Sequence, residues 1–423
     1  MKRYKQIMSE RIVKIGIIGL GARAETLLAS IFLMEGIKVT AICDTRQERI
    51  ERIHSIFDQH HAERPKAFQD YHALLEDPEV EALFVPTSWN SHLPIACECM
   101  RKGKYVGIEV GGASSIEELW QLVHASESTG VSCMMLENCC YGRIELMLLN
   151  MVRKGIFGEL IYCECGYEHD ISEMAYNGTR LERALHNMHR NGELYPTHGI
   201  GPIAKLLSIN RGNRFLTISS HATKARGFDN AYETHTGKRI TCPYREGDIV
   251  TSVIHCANGE NITMIHGISL PRPYSRNMRV QGTKGIYLEN TKGIYVEGRS
   301  PKYELLDVAN NPYITHEWDK VSDYFEEFDH PIWKEYSKNA IGGHGGMDAL
   351  AMQAFLDAVR HKAPTPIDVY DCAAWMSITC LSEQSIAMGG MPVPFPDFTN
   401  GKWVDPRPDR VSKWSLNEVH DVF

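Results

Sequence analysis

The chain has 423 residues, which exceeds what one hydrophobic core ordinarily supports, so we expect two domains. Hydrophobic residues make up 43% and charged residues 23%, as in soluble globular proteins, and a formal net charge of −8 offers no basic surface for nucleic acid or an anionic membrane. The basic start at residues 1–8 is not followed by a signal-like apolar stretch, and no run approaches the ~20 apolar residues of a membrane span. Composition therefore predicts a cytoplasmic enzyme that binds neither nucleic acid nor membrane.

Cysteine and histidine spacing does not predict a metal centre. The chain has twelve cysteines, but the close pairs are not in Cys-x-x-Cys spacing, so we expect free thiols. His186 and His189 lie three residues apart on a predicted helix and could share a metal-binding face. Because no third ligand accompanies them, we expect no metal.

The first predicted strand ends in a glycine-rich turn. Residues 12–18 are rich in β-branched side chains, and the chain then runs through Gly19 and Gly21 to Ala24 before a stretch of good helix formers. Gly19 allows a tight turn, Gly21 lets backbone amides approach a pyrophosphate, and Ala24 lets the helix pack closely on the strand. Many glycine turns follow strands for structural reasons alone, so the context has to support a dinucleotide site.

That context comes from the next predicted strand, residues 38–43, which ends in Asp44. This carboxylate lies 20 residues after Ala24, where it can accept hydrogen bonds from both ribose hydroxyls and repel a 2′-phosphate. The sequence therefore favours NAD over NADP. Arg23 and Arg46 keep NADP open, since arginines near this site can bind the extra phosphate.

Strands and helices then alternate in the way that builds a parallel sheet with helices on both faces. The third main strand ends before residues 87–92, on the edge where open α/β sheets hold ligands. In chain order we predict a helix at 46–59, a polar link at 65–70, a helix closing at 74–80, a strand at 82–86, a helix at 92–102, a strand at 105–110, a helix at 115–129 and a strand at 132–136.

The pattern changes after about residue 141. A helix at 144–153 precedes an alternating strand at 158–167, and strands are also predicted at 249–257, 261–269 and 277–281, with turns at 257–259 and 282–284. We therefore predict an NAD-binding Rossmann domain at 11–140, a doubly wound parallel sheet. An α+β substrate-binding domain with a large, mostly antiparallel sheet should follow at 141–423. Residues 299–340 show no clear period.

A second informative segment runs from Asn191 to Pro202. Pro196 is a good first residue of a helix, which puts Tyr195 and His198 at the helix N-terminus, three residues apart and facing the same way. That position disfavours an imidazolium, so His198 can stay neutral and accept a proton near pH 7. Packing and capping are the alternative roles of this pair, but the surrounding glycines and prolines suggest close approach by another group.

Taken together, these segments resemble the NAD-dependent glycoside hydrolases of family 109, whose best-known activity is α-N-acetylgalactosaminidase, within the Gfo/Idh/MocA oxidoreductase superfamily. The resemblance runs from about Val13 to the Gly342-Gly343-His344-Gly345-Gly346-Met347-Asp348 segment and beyond. It rests on the glycine turn, Trp89-Asn90-Ser91-His92, Glu109-Val110, Glu137-Asn138 and, most specifically, Tyr195-Pro196-Thr197-His198-Gly199.

The chain departs from ordinary dehydrogenases of that superfamily. They carry Glu-Lys-Pro where this chain has Glu109-Val110-Gly111, so the lysine that assists hydride transfer is missing. The Tyr195 to His198 block also replaces their Asp-x-x-x-His motif. Some members of family 109 begin with a secretion signal, and without one we expect work on internalised sugars.

The resemblance implies a redox-neutral hydrolysis of a small carbohydrate substrate. Direct hydrolysis would need two carboxylates flanking the glycosidic bond, whereas this route needs NAD and a base beside the sugar. Hydride leaves C3, the ketone acidifies the C2 hydrogen, loss of that proton expels the C1 substituent, water adds, and the hydride returns.

The resemblance also implies a role for each matching residue. His198 should accept the C3 hydroxyl proton, and Tyr167 and Tyr195 are candidates for the C2 proton and the departing oxygen. Arg183 could lower the tyrosine pKa, or simply be solvated at the surface. Substrate contacts are expected at Glu137, Tyr167, Arg183, Tyr195, His198 and Tyr274. Cofactor contacts are expected at Gly19, Gly21, Ala22, Arg23, Asp44, Trp89, Asn90, His92, Glu109, Val110 and Asn138, with helix capping as the alternative for Glu109 and Asn138.

Two other functions stay open. A glycoside 3-dehydrogenase would use the same residues and release a keto-sugar, and a non-enzymatic sugar or NAD sensor would use the same fold. We also expect a homo-oligomer, because an exposed sheet face commonly dimerises in such architectures.

Overall fold

The computed structural model describes residues 11–300, 317–337, 340–406, 408 and 410–420. The basic start and most of the aperiodic 299–340 segment lie outside these residues. The chain divides into two compact units. The first takes the residues up to Gly142 with Glu335–Ser377 and Pro408–Leu416, and the second takes Arg143–Lys334, Ile378–Arg407 and the residues from Asn417 on. The domain boundaries at 140 and 141 stay a prediction.

In the first unit, the part of the chain that the structure describes forms a parallel sheet of six strands in the order β3-β2-β1-β4-β5-β6. This is the doubly wound order, and its buried strands are apolar runs because helices cover both faces. The strands are β1 (Val13–Ile18), β2 (Ile37–Cys43), β3 (Lys66–Phe68), β4 (Ala82–Val85), β5 (Tyr105–Ile108) and β6 (Cys133–Met135). The helices between them are α1 (Ala22–Ile31), α2 (Gln47–Gln59), α3 (Tyr71–Leu75), α4 (Trp89–Arg101) and α5 (Ile116–Thr129).

One predicted link is a strand. Residues 65–70 contain β3, which pairs in parallel with β2 from Ala41 to Cys43. Its three residues are too short and too exposed to show a hydrophobic pattern, so only the pairing reveals it.

The described residues of the second unit form a nine-stranded sheet in the order β14-β13-β12-β11-β7-β10-β9-β8-β15. Among the described strands of this sheet, only β7 and β10 pair in parallel, so the sheet is mostly antiparallel, as predicted. The strands are β7 (Leu160–Glu168), β8 (Phe215–Ala222), β9 (Val250–Cys256), β10 (Asn261–Gly267), β11 (Arg279–Gly282), β12 (Gly285–Leu288), β13 (Gly293–Val296), β14 (Asp319–Lys320) and β15 (Val393–Pro394).

Helices complete the described chain. They are α6 (Arg143–Arg153), α7 (Leu181–His189), α8 (Thr197–Leu206), α9 (Gly227–Thr236), α10 (Phe325–Phe328), α11 (Pro331–Tyr336), α12 (Met347–His361) and α13 (Val369–Ala387). None of the helices in the described residues is long and apolar enough to span a bilayer. All twelve cysteines are free thiols, which confirms the prediction from their spacing.

Candidate functional site

In the first unit, the turn after β1 has the backbone that a dinucleotide site needs. Gly19 has a φ of +94°, and a Cβ there would lie 2.7 Å from Cγ2 and 3.1 Å from Cα of Thr87. Gly21 precedes α1, which begins at Ala22, and no atom lies within 4 Å of where its Cβ would be. The backbone at Gly21 therefore has open space on this side, as close approach of a pyrophosphate requires.

Asp44 follows β2 and is held in place by the same turn. Its Oδ2 accepts a hydrogen bond of 2.8 Å from the Leu20 amide, and its Oδ1 accepts one of 3.0 Å from the Arg46 amide. Arg49 Nη1 lies 3.2 Å from Oδ2. Carboxylate oxygens have further acceptor capacity, so Asp44 can still receive ribose hydroxyls.

Arg23 is engaged by carboxylates. Its Nε donates to Glu109 Oε1 at 2.7 Å, and Nη1 and Nη2 donate to Asp348 at 2.9 and 3.1 Å. Burial lowers the pKa of Arg23, but attraction to Glu109 and hydrogen bonds to Asp348 more than offset this and raise it. The positive charge of the guanidinium is thus compensated by two carboxylates of the first unit.

Asp348, near the start of α12, was not assigned a role from the sequence. It also accepts a hydrogen bond of 2.7 Å from Asn138 Nδ2 and lies 2.9 Å from His344 Nδ1. Burial alone would raise the pKa of Asp348, but hydrogen bonds from His344 and Arg23 hold it well below its usual range.

The sequence feature that could have pointed to Asp348 is the glycine-rich segment before it. A Cβ at Gly343 would lie 2.8 Å from Asp348 Oδ2, and one at Gly342, where φ is +85°, would lie 2.5 Å from Ser30 Oγ. The glycines therefore bring the segment against α1 and the carboxylate. Glu109 accepts a hydrogen bond from Arg23, and Asn138 donates one to Asp348, so neither side chain acts as a helix cap.

The remaining first-unit candidates lie on or near the carboxyl edge of the same sheet. Trp89 and Asn90 begin α4, and the Trp89 ring packs so closely on Gly111 that a Cβ there would lie 2.6 Å from Trp89 Cδ1. Asn90 Oδ1 accepts a hydrogen bond from Ser114 Oγ at 3.2 Å. The other candidates, His92, Val110 and Glu137, are buried. Glu137 caps the 3₁₀ helix Asn138–Tyr141 by accepting the Cys139 amide at 3.0 Å.

In the second unit, Tyr167, Tyr195 and His198 form one group, which we call the tyrosine-histidine cluster. Ring centroids lie 4.7 Å apart for Tyr167 and Tyr195, 5.0 Å for Tyr195 and His198, and 5.8 Å for Tyr167 and His198. Both tyrosines are buried, and His198 is partly exposed. The structure therefore brings together the three predicted catalytic side chains.

The helix that carries His198 begins one residue later than predicted. Pro196 is the N-cap of α8 and Thr197 is its first residue. Because a proline has no amide hydrogen to leave unpaired, it suits either position at a helix start. His198 therefore lies in the first turn of α8, and Tyr195 just outside it.

Arg183, on α7, places a cation beside the two tyrosines. Its Cζ lies 4.2 Å from the centroid of the Tyr195 ring. Burial lowers the pKa of Arg183, but interactions with Tyr195 and Tyr167, including hydrogen bonds to both, raise it overall. Arg183 therefore contacts the tyrosine-histidine cluster and is not a solvated surface residue.

Tyr274 reaches the cluster through a bridge between two chain segments. Glu168 and Ser275 exchange backbone hydrogen bonds of 3.1 and 2.9 Å, and Arg272 forms an ion pair with Glu168. The Tyr274 ring consequently lies 5.9 Å from that of Tyr167, edge to face. Tyr274 is nevertheless 48% exposed, which leaves much of its surface available to a ligand.

A buried group of ionisable residues, missed from the sequence, lies behind Tyr167. His266 pairs with Tyr167 across β10 and β7. Its Nε2 lies 2.9 Å from Glu246 Oε1, and its Nδ1 lies 3.4 Å from Glu193 Oε1. Burial raises the pKa of Glu193 to about 7, although attraction to His266 opposes the shift. These residues are scattered in the sequence, so no spacing could have revealed them.

Comparison with known proteins first defines the class. A family model described as an oxidoreductase family with an NAD-binding Rossmann fold matches residues 13–137. The chain is similar to levoglucosan dehydrogenase in complex with NADH and levoglucosan, with 16% identity, a TM-score of 0.66, and coverage of 91% of this chain and 100% of that one. It is also similar to an NAD-binding oxidoreductase from Klebsiella pneumoniae, with 17% identity, a TM-score of 0.67 and coverage of 91% and 99%. The predicted fold class is confirmed, and the first unit is an NAD(H)-binding domain.

The family follows from the rest of the chain. A model described as the C-terminal domain of glycosyl hydrolase 109 matches residues 141–405. An α-N-acetylgalactosaminidase of Tannerella forsythia is 39% identical, over 95% of this chain and 89% of its own length, and a family 109 protein of Parabacteroides distasonis is 39% identical over 94% and 89%. The chain belongs to glycosyl hydrolase family 109, which confirms the resemblance. It is an enzyme of a glycosidase family with an NAD-binding domain.

Proposed function

We propose that this enzyme hydrolyses N-acetylgalactosaminides or related glycosides by the redox-neutral route, with NAD unchanged after each turnover. The observation that carries the proposal is the grouping of Tyr167, Tyr195 and His198, with the Arg183 guanidinium over the Tyr195 ring. The printed name of the Tannerella forsythia relative supports this substrate class.

The side chains divide the proton transfers between them. His198, whose imidazole is partly exposed, accepts the proton of the C3 hydroxyl, since an imidazole is the kind of side chain that exchanges a proton near neutral pH. Tyr167 or Tyr195 accepts the C2 proton and the other assists the departing oxygen. Because a phenol has an ordinary pKa of ~10, a phenolate needs the Arg183 charge beside it. The chemistry that bound NAD supplies is reversible hydride transfer at C3.

We infer NAD rather than NADP as the cofactor. The Asp44 carboxylate lies at the end of β2, where it would receive ribose hydroxyls and repel a 2′-phosphate. Arg23, which kept NADP open, donates to Glu109 and Asp348 instead. Arg46 is exposed, and its backbone amide, rather than its guanidinium, contacts Asp44.

The proposal is tested with NAD-loaded enzyme and an aryl α-N-acetylgalactosaminide, without added oxidant. We expect release of the aryl alcohol, and a C2-deuterated substrate should lose its label to water. Retained deuterium in the product would contradict the elimination route. Replacing His198 by Ala should abolish turnover, whereas a sugar or NAD sensor would keep its binding behaviour unchanged.

A glycoside 3-dehydrogenase is the second candidate, because it needs the same proton acceptor and cofactor site. It would release a keto-sugar and leave the cofactor reduced. Accumulation of NADH in proportion to product, followed by its near-ultraviolet absorbance, would favour the dehydrogenase. A constant NADH level during aryl alcohol release would favour the glycosidase.

We further propose that the enzyme acts in the cytoplasm as a homo-oligomer. Twelve free thiols suit a reducing compartment, and cell fractionation tests the location. The large sheet has outward positions such as Val253 and His255 that remain exposed in the single chain. Light scattering on purified protein tests the assembly, and a monomer mass would contradict it.

A further inference from the structure

His169, directly after β7, makes a contact with the cluster that the mechanism above does not use. Its Nδ1 lies 3.3 Å from the Tyr167 hydroxyl, and its ring meets the Tyr274 ring edge to face at 5.3 Å. The His169 amide donates to the Gly267 carbonyl at 3.0 Å, which extends the pairing with β10. The position of His169 is therefore fixed by a hydrogen bond of its backbone and by contacts of its ring.

This contact joins a buried phenol to a partly exposed imidazole. Tyr167 as a residue is only 8% exposed, whereas His169 is of intermediate exposure. A phenol must lose its own proton before it can act as a base. A hydrogen-bonded imidazole is the kind of group that takes up and releases such a proton near pH 7.

We propose that His169 is a proton relay that acts through Tyr167. The O–H bond of Tyr167 breaks as an Nδ1–H bond forms on His169, and the Nε2 proton passes to water. The phenolate, stabilised by Arg183, can then accept the C2 proton of the sugar. The reverse transfers restore both side chains after water has added. This inference rests on the proposed function.

The relay requires His169 to be neutral, with its proton on Nε2, before the transfer. Burial and the charges of Arg180 and Arg183 lower the pKa of His169, while Glu173 and Asp170 raise it by less, and the net lowering favours the neutral imidazole. Tyr167 and Tyr274 are the ring neighbours on its other sides. The Tyr167 hydroxyl can then donate to Nδ1.

The first experiment measures turnover by H169A and H169Q with NAD-loaded enzyme. We expect kcat to fall by ~100-fold with KM changed by less than about threefold. Exogenous imidazole should restore much of the kcat of H169A and little of that of H169Q, whose larger side chain fills the space. The matched control is H235A, on α9, where an exposed histidine lies by the Ala231 carbonyl and stacks on Tyr176. A kcat of H169A within twofold of wild type, or no rescue by imidazole, would overturn the relay.

The second experiment does not depend on glycoside turnover. Nitrogen-15 NMR of histidine-labelled protein, with the His169 signals assigned from H169A, should show the neutral Nε2–H tautomer at pH 7. A protonated ring or the Nδ1–H tautomer would overturn the relay. If wild-type enzyme turns over no glycoside, the proposed function fails, and the tautomer then decides the relay by itself.

Discussion

The backbone of Gly199 lies directly against the backbone of Gly166. A Cβ at Gly199 would be 2.8 Å from the amide nitrogen and 3.0 Å from the carbonyl oxygen of Gly166. Because His198 precedes one glycine and Tyr167 follows the other, this contact between α8 and β7 brings the two rings close. The glycine after His198 thus allows α8 to pack closely on β7.

Replacing Gly199 by Ala should push α8 away from β7. Forcing a methyl group against backbone costs ~1–3 kcal/mol, so we expect the free energy of unfolding, measured in urea, to fall by this amount. We also expect kcat to fall by at least about tenfold at temperatures where the variant is folded. Replacing Ala204, a buried residue on the same helix, by Gly is the control. This control variant should lose ~1 kcal/mol in free energy of unfolding and keep the wild-type kcat. Normal kcat in G199A would contradict the role of the contact.

Replacing Asp44 by Ala should weaken NAD binding and reduce discrimination against NADP. The variant loses the acceptor for the ribose hydroxyls and the charge that repels a 2′-phosphate. We expect the NAD dissociation constant, measured by calorimetry, to rise by ~10-fold or more, since hydrogen bonds to charged groups are worth ~1.5–3 kcal/mol. E48Q, at an exposed position in the first turn of α2, is the control. An unchanged ratio of NAD to NADP affinity would exclude Asp44 from cofactor selection.

Replacing Asp348 by Asn should destabilise the first unit and lower its affinity for NAD. Arg23 would lose its paired partner, and loss of one member of a buried ion pair costs ~3 kcal/mol. The pKa of Asp348 is lowered, so its contribution is fully present above ~3.9 and is lost as pH falls below that value. Urea unfolding should therefore be less acid-sensitive in D348N. D357N, on the same helix but paired with Arg410 near the surface, should change stability little. Equal losses in the two variants would contradict this account.

The pKa of Glu193, about 7, predicts that stability falls as pH rises. Between ~4.3, its ordinary value, and 7, the unfolded chain ionises this carboxyl while the folded chain keeps its proton. The folded state then binds more protons, so the free energy of unfolding decreases with pH. E193Q should show a smaller decrease than wild type when urea unfolding at about pH 5 and about pH 8 is compared. E260Q, a buried carboxyl bonded to Asn213, is the control. The same decrease in E193Q and wild type would contradict the prediction.

Local patterns predicted much of the fold because each element carries its own signal. The buried run before Gly19 and the alternation before Tyr167 marked β1 and β7, and the spacing from Ala24 to Asp44 marked the cofactor turn. The short strand at Lys66–Phe68 carried no such signal, because three exposed residues form a strand only through their pairing with β2.

The sequence by itself determined the class of fold, the family, and the residues Tyr167, Tyr195 and His198, because glycine turns, strand periodicity and the Tyr195 to His198 block are local features. Only the tertiary structure decided which side chains from distant parts of the chain meet inside each unit. Asp348 reaches Arg23 from 325 positions away, and His266 meets Glu193 and Glu246 in the interior. Buried charged partners such as these stabilise one another only after folding has excluded water and brought distant segments together. Their pairing therefore cannot be predicted from spacing in the sequence.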